Sequence, residues 1–171
     1  MNMPSQNRYI LRACVLHVSP DLRIPVQVGC GGVAQKIREG DGITPVGVWS
    51  VLRVRYRADR IDRPQTTLPT YAIAPDDGWC DDPGHRDYNQ LVKLPFSYAH
   101  ETLWRVDCLY DIVVELGYNT HPIIAGAGSA IFMHVWHHEK TPTQGCVAMA
   151  CDDLLQFLRT VRLGDCLDIQ S

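Results

Sequence analysis

Along this chain the apolar positions recur mainly every second residue, the spacing of strands that bury one face. Residues 9–18 predict a first strand, and 25–28 begin a second that runs into Gly29, Gly31 and Gly32. A turn cluster, Glu39-Gly40-Asp41-Gly42, leads into Thr44-Pro45-Val46-Gly47. Beyond it, Val48, Ser50, Leu52, Val54 and Tyr56 mark the alternation of a longer strand over 48–56. Residues 111–116 and 129–136 predict two further short strands, and 166–169 a closing one. One segment changes period. Asp152 and Asp153 suit a first helical turn, where carboxylates meet the positive end of the helix dipole. Leu154, Leu158 and Val161 then share a face and Gly164 supplies a stop, which predicts a helix over 149–162.

Between 57 and 99 the pattern breaks down. Pro64, Pro69, Pro75, Pro83 and Pro95, with Asp76-Asp77-Gly78 and Asp81-Asp82-Pro83-Gly84, predict turns and irregular backbone. Such a long excursion is either a packed connection or a cap beside a binding site. With no repeat or linker, the chain reads as one β-rich domain over 1–171.

Composition narrows the function. A chain of 171 residues, 46% hydrophobic, can bury a core without disulfides or a structural metal. Nineteen acidic residues against sixteen Lys and Arg give a net charge of −3, which argues against nucleic acid as a partner. No apolar run is long enough to span a bilayer. The apolar stretch 9–18 is interrupted by Arg12 and His17 and lacks a small-residue cleavage site, so no secretory signal is expected in the chain as given. Seven cysteines are an odd number, so at least one thiol is unpaired, and most are expected in the core.

Candidate chemistry concentrates near the C-terminus. His134 ends a β-like run, and Thr143-Gln144-Gly145-Cys146 comes next, the cysteine standing twelve residues after the histidine. An ordinary thiol is mostly protonated at neutral pH, and a neighbouring imidazole can take its proton. The segment directly after Cys146 reads as a helix start, whose dipole would favour a thiolate. Gly145 lets the backbone approach a reacting carbonyl, so the amides of Gly145 and Cys146 are oxyanion-hole candidates. The twelve-residue spacing permits a strand-loop-strand or strand-loop-helix excursion that returns Cys146 to His134. A competing reading makes His134, His137, His138 and Cys146 zinc ligands. The stretch lacks the His-Glu-x-x-His helix pattern, so no metal and no cofactor are expected.

These residues resemble the L,D-transpeptidase catalytic domain family (YkuD, or ErfK/YbiS/YcfS/YnhG), whose signature is a histidine, a variable loop, then Ser/Thr-x-Gly-Cys. Here that reads His134, the loop through Pro142, and Thr143-Gln144-Gly145-Cys146. The upstream Thr44-Pro45-Val46-Gly47 is similar to the family's Thr-Pro-x-Gly segment. The resemblance implies an α+β fold, mostly β, a mixed β-sheet or sandwich with a C-terminal helix packed beside it. It also implies a peptidoglycan L,D-transpeptidase. Cys146 attacks the L-centre carbonyl at the third position of a stem tetrapeptide, D-alanine leaves, and the thioester passes to an amine of another stem. Carbapenems would acylate the same thiol. Many members carry a second histidine where Gln144 stands, and Arg or Asn where Ala148 stands.

Within the resemblance, Cys146 and His134 are the catalytic candidates, with Gly145 and Cys146 supplying the oxyanion hole. Thr143, Gln144, Trp79, Tyr88 and Asn89 are candidate substrate contacts. Asp81 and Asp82 are candidates to hold the donor's free amine, and Glu101 and Arg105 are spaced to pair across a helical turn. The partners implied are donor and acceptor stem peptides, and the site of action the periplasm or cell envelope. An L,D-carboxypeptidase, with water as acceptor, and a non-catalytic peptidoglycan-binding module are the alternatives.

Overall fold

The computed structural model describes residues 6–136 and 141–171. In chain order the strands are β1 (Arg8–Arg12), β2 (Val15–His17), β3 (Arg23–Pro25), β4 (Val33–Ala34), β5 (Thr44–Pro45), β6 (Gly47–Tyr56) and β7 (Thr70–Ala72). They continue with β8 (Asp77–Cys80), β9 (Leu91–Lys93), β10 (His100–Thr102), β11 (Ile112–Leu116), β12 (Phe132–Val135), β13 (Val147–Met149), then α1 (Cys151–Leu158) and β14 (Cys166–Ile169). The result is α+β and mostly β, as expected.

The main sheet runs β13-β12-β11-β6-β14-β1-β2-β3, with β7 also paired to β6. Strand β6 holds it together. Its first half pairs with β14 and its second with β11, and a bulge falls where Leu116 meets Val51 and Glu115 meets Arg53. The bulge resets the phase, so Val51 and Val54 both point inward, three residues apart rather than two. After β3 the chain crosses to the opposite end of the sheet. Gln27 bridges to Ala148 and Gly29 to Thr143, so the sheet curls until its ends meet through 26–29.

The interior of this curl is the main core. Leu11, Leu16, Ile24, Val54, Val114, Met133, Val147 and Leu167 fill it, and α1 closes it with Leu154, Phe157 and Leu158. Strand β11 is buried on both faces. Val113 and Phe132 point away from the main core into a second cluster with Trp79, Leu103 and Tyr110. A small sheet, β10-β8-β9, contributes to that cluster.

Four expectations need correction. Residues 9–18 form a hairpin rather than one strand. Ala13 and Cys14, at φ 51° and 58°, make a two-residue turn without the Gly or Asn that usually signals one. The segment 57–99 carries β7, β8 and β9 instead of being irregular throughout. The helix spans Cys151–Leu158, shorter than 149–162, because Thr160 N–H and Oγ1 both donate to Phe157 O (2.9 and 2.8 Å) and turn the chain out. All seven cysteines are free thiols, and only Cys80, Cys146 and Cys166 are buried.

Candidate active site

The residue pattern places His134 and Cys146 by strand register. His134 lies in β12 opposite Ala148 in the parallel strand β13. Cys146 immediately precedes β13, two residues before Ala148, so period-two alternation puts Cys146, Ala148, Phe132 and His134 on one face. Met133, Val135, Val147 and Met149 take the other face and enter the main core. Of the two excursions allowed by the spacing, the chain takes strand-loop-strand. The expectation of a helix start after Cys146 is thereby overturned: β13 intervenes and α1 begins at Cys151. Among the described residues no helix starts directly at the thiol.

The turn that carries Cys146 is fastened from two sides. Gly145 has φ +133°, and a Cβ there would come within 2.9 Å of Ile43 O, so glycine is required. Thr143 Oγ1 donates to Cys146 O (2.6 Å) and accepts from Gly145 N–H (3.1 Å). From the upstream strand pair, buried Thr44 Oγ1 donates to Gly145 O (2.8 Å) and accepts from Gly29 N–H (2.8 Å). Among the described residues the Cys146 N–H has no hydrogen-bond partner, whereas the Gly145 N–H is occupied by Thr143.

At rest the thiol donates to Ala130 O (3.1 Å), and Phe132 N–H points at Sγ (3.4 Å). Ala130 is itself held by its N–H to Asn89 Oδ1 (3.0 Å). Burial pushes the thiol up to about 12, and the Glu101 carboxylate adds to the rise. Burial also lowers His134 to about 4, with the Val135 carbonyl opposing the fall and the Arg105 charge adding to it. His134 Nδ1 lies 2.7 Å from Val135 O. A carbonyl only accepts, so Nδ1 carries the proton and Nε2 presents its lone pair. The Tyr110 ring stands edge-on to the imidazole, centroids 5.4 Å apart. Thiol and imidazole are both neutral in this state.

Both side chains line one cavity of about 440 Å³. Thr143, Gln144 and Ala148 border it beside Cys146; Lys36, Glu39, Asp81, Glu101, Arg105 and Ser129 supply its polar lining. The family profile described as the L,D-transpeptidase catalytic domain (YkuD) matches residues 4–169, nearly the whole chain. The chain belongs to this family. Among solved structures, the L,D-transpeptidase 1 of Mycobacterium tuberculosis aligns at 13% identity and a TM-score of 0.41, over 96% of this chain and 60% of that one. Comparison with curated proteins gives no match.

For this member of the L,D-transpeptidase family, the residues read from sequence separate into two groups. His134, Thr143, Gln144 and Cys146 meet at the cavity, and Asp81 joins them. Trp79, Tyr88 and Asn89 are buried and lie outside its lining. They brace the site from behind. Trp79 packs edge-on to Phe132 and donates to Asn89 Oδ1 (3.0 Å); Tyr88 OH bonds to Glu39 and accepts from Gly128 N–H (3.0 Å). Glu101 and Arg105 do not share a helix: Glu101 is in β10 and accepts from Tyr110 OH, while Arg105 pairs with Asp107 (2.7 Å).

Thr44, Ala130, Tyr110, Glu39 and Ser129 enter the site without having been singled out for it. Their only sequence signal is Thr44 in its Thr-Pro-x-Gly setting. Among the described residues no group of three His, Cys, Asp or Glu is placed to hold a metal ion. His137 and His138 of the competing zinc set lie outside the described residues.

Proposed function

We propose that the protein is a peptidoglycan L,D-transpeptidase that uses Cys146 as nucleophile and His134 as its proton carrier. The observation that carries this reading is that His134 in β12 and Cys146, one residue before the paired strand β13, line one cavity. The reaction starts from a neutral pair. As Cys146 Sγ attacks the L-centre carbonyl of the donor stem, its proton passes to His134 Nε2 and the bond to Ala130 O is given up. The free Cys146 N–H receives the developing oxyanion, and the buried setting makes that single donor count for more than it would in water.

Collapse of the tetrahedral intermediate breaks the peptide bond to the terminal D-alanine. His134 returns its proton to the leaving amine, and a thioester remains on Cys146. An amine of a second stem then attacks the thioester and loses its proton to His134, and Sγ leaves and is reprotonated as a thiol. A preformed thiolate would be poorly stabilised in this pocket, with burial and Glu101 both opposing it. Proton transfer therefore accompanies attack rather than preceding it. Substrate of this kind places the enzyme's work in the cell envelope.

Mass-spectrometric analysis of products from purified protein, donor tetrapeptide and acceptor stem tests the assignment. Cross-linked dimer lacking one D-alanine supports it. Trimmed stems without dimer support the L,D-carboxypeptidase alternative, and unchanged stems contradict both.

A further inference from the structure

A second groove, of about 390 Å³, shares no lining residue with the catalytic cavity. Arg53 and Arg55 of β6 and Glu115 of β11 line it from the main sheet, and Trp79 of β8 and Leu91 of β9 from the small sheet. Val54, between the two arginines, enters the main core, so alternation puts both arginines on the outer face of the sheet. Trp79 and Asn89, which the sequence offers as substrate contacts, border this groove instead of the catalytic cavity.

The charges in the groove do not balance. Buried Glu115 accepts from Arg55 Nε at 2.6 Å, and Arg53 Nε stands 3.5 Å from its other oxygen. One guanidinium neutralises that carboxylate, and the second leaves a positive charge in excess, in a chain whose net charge is −3. The Arg55 side chain is only 10% exposed, and its guanidinium carbon lies 5.6 Å from the centre of the Tyr71 ring. Among the described residues, Nε is the one Arg55 side-chain nitrogen with a hydrogen-bond acceptor. Its terminal amino groups are not sealed within the protein, so an acceptor can reach them from the groove. Arginine carries five N–H donors in a rigid fork, and withdrawing most of them from water without acceptors is costly.

We propose that this groove is a second binding site, in which Arg53 and Arg55 receive the terminal carboxylate of a peptide. The inference does not rest on the transpeptidase reading. A guanidinium fork matches the two oxygens of a carboxylate. Leu91 and Ile123, 36% and 37% exposed, flank the arginines and suit a small apolar side chain beside that carboxylate. An inorganic phosphate would match the charge and leave those apolar walls without a partner. Two sources present the group: a stem peptide that ends in a D-residue, and a protein C-terminus that ends in an L-residue.

The test is isothermal titration calorimetry of the whole chain with N-acetyl-Ala-D-Ala and N-acetyl-Ala-L-Ala, each as the free acid and as the C-terminal amide. Amidation is expected to raise Kd about tenfold, the scale of one charge-assisted hydrogen bond. Arg55→Lys keeps a cation beside Glu115 and loses the fork, so it raises the Kd of the free acid about tenfold and leaves that of the amide unchanged. Arg53→Gln, at a side chain 46% exposed, shifts the free-acid Kd in the same direction and decides the matter if the buried variant fails to fold. Tighter binding of the D-form assigns the groove to a stem, tighter binding of the L-form to a protein C-terminus, and equal binding to the carboxylate itself. The proposal is overturned if neither free acid binds, or if acid and amide bind equally. It is also overturned if inorganic phosphate binds as tightly as the peptides, or if the free-acid Kd is unchanged in the folded arginine variants.

Discussion

Thr44→Val isolates the fastening of the Cys146 turn. Thr44 is fully buried, and valine keeps its branched shape but neither donates nor accepts, so the buried Gly145 C=O and Gly29 N–H lose their bonds to Oγ1, each 2.8 Å long. An unsatisfied buried backbone group costs about 1–3 kcal/mol, which puts the loss of the two at roughly 2–6 kcal/mol. For a domain of this size that corresponds to a thermal midpoint about 5–15 °C lower. Thr44→Ser retains the hydroxyl and loses one buried methyl, a change of about 1 kcal/mol. Urea denaturation of the three proteins measures the differences, and the rate of Cys146 acylation, taken well below the transition, reports the position of the turn. A Thr44→Val loss under about 0.5 kcal/mol, the scale of an indifferent surface change, would refute the reasoning. Equal losses in the valine and serine variants would refute it too, since the hydroxyl is then irrelevant.

The same geometry fixes three other outcomes. His134 titrates near 6.5 when unfolded and about 4 when folded, so below pH 6.5 the unfolded chain binds the extra proton. Stability should fall as pH drops from 6.5 toward 4, by an amount on the order of 3 kcal/mol, and the corresponding slope of urea midpoint against pH should shrink in His134→Gln. Cys146 has the opposite sign: its folded value of about 12 exceeds the ordinary thiol value of 9.0, so its contribution is intact below pH 9 and is lost between 9 and 12. Alkylation of Cys146 by iodoacetamide, read by peptide mapping, should therefore accelerate only in alkali; a reactive limb below pH 8 would show a preformed thiolate. Asn89→Ala unpairs Trp79 Nε1, the Ala130 N–H and two carbonyls at Tyr118 and Asn119, and should cost about 3 kcal/mol or more by denaturant melt.

Strands β6, β11 and β14 were legible because their apolar residues are local and regular, and the same holds for the face of α1 built on Leu154 and Leu158. The β1–β2 hairpin was not, since Ala13-Cys14 adopts a left-handed turn that neither residue type advertises. Strand β13 was hidden for another reason. Three residues, Val147–Met149, are too few to establish a period, and they run straight into the acidic start of α1. In the site, Cys146 and His134 stand out because one short segment holds both. The acidic lining does not. Glu39 comes from the β4–β5 connection, Asp81 from the residue that follows β8 and Glu101 from β10, and only tertiary packing brings them to one cavity. Trp79, Tyr88 and Asn89 carry aromatic and amide groups suited to a groove, yet tertiary packing uses those groups to hold Phe132, Gly128 and Ala130.

The most direct measurement is the intact mass of the protein after incubation with a donor tetrapeptide. A Cys146 nucleophile served by His134 predicts an increase equal to the tetrapeptide minus D-alanine, mapped to Cys146, absent in Cys146→Ala and strongly slowed in His134→Gln. An unmodified wild-type mass, or an adduct that persists when Cys146 is replaced, would contradict it.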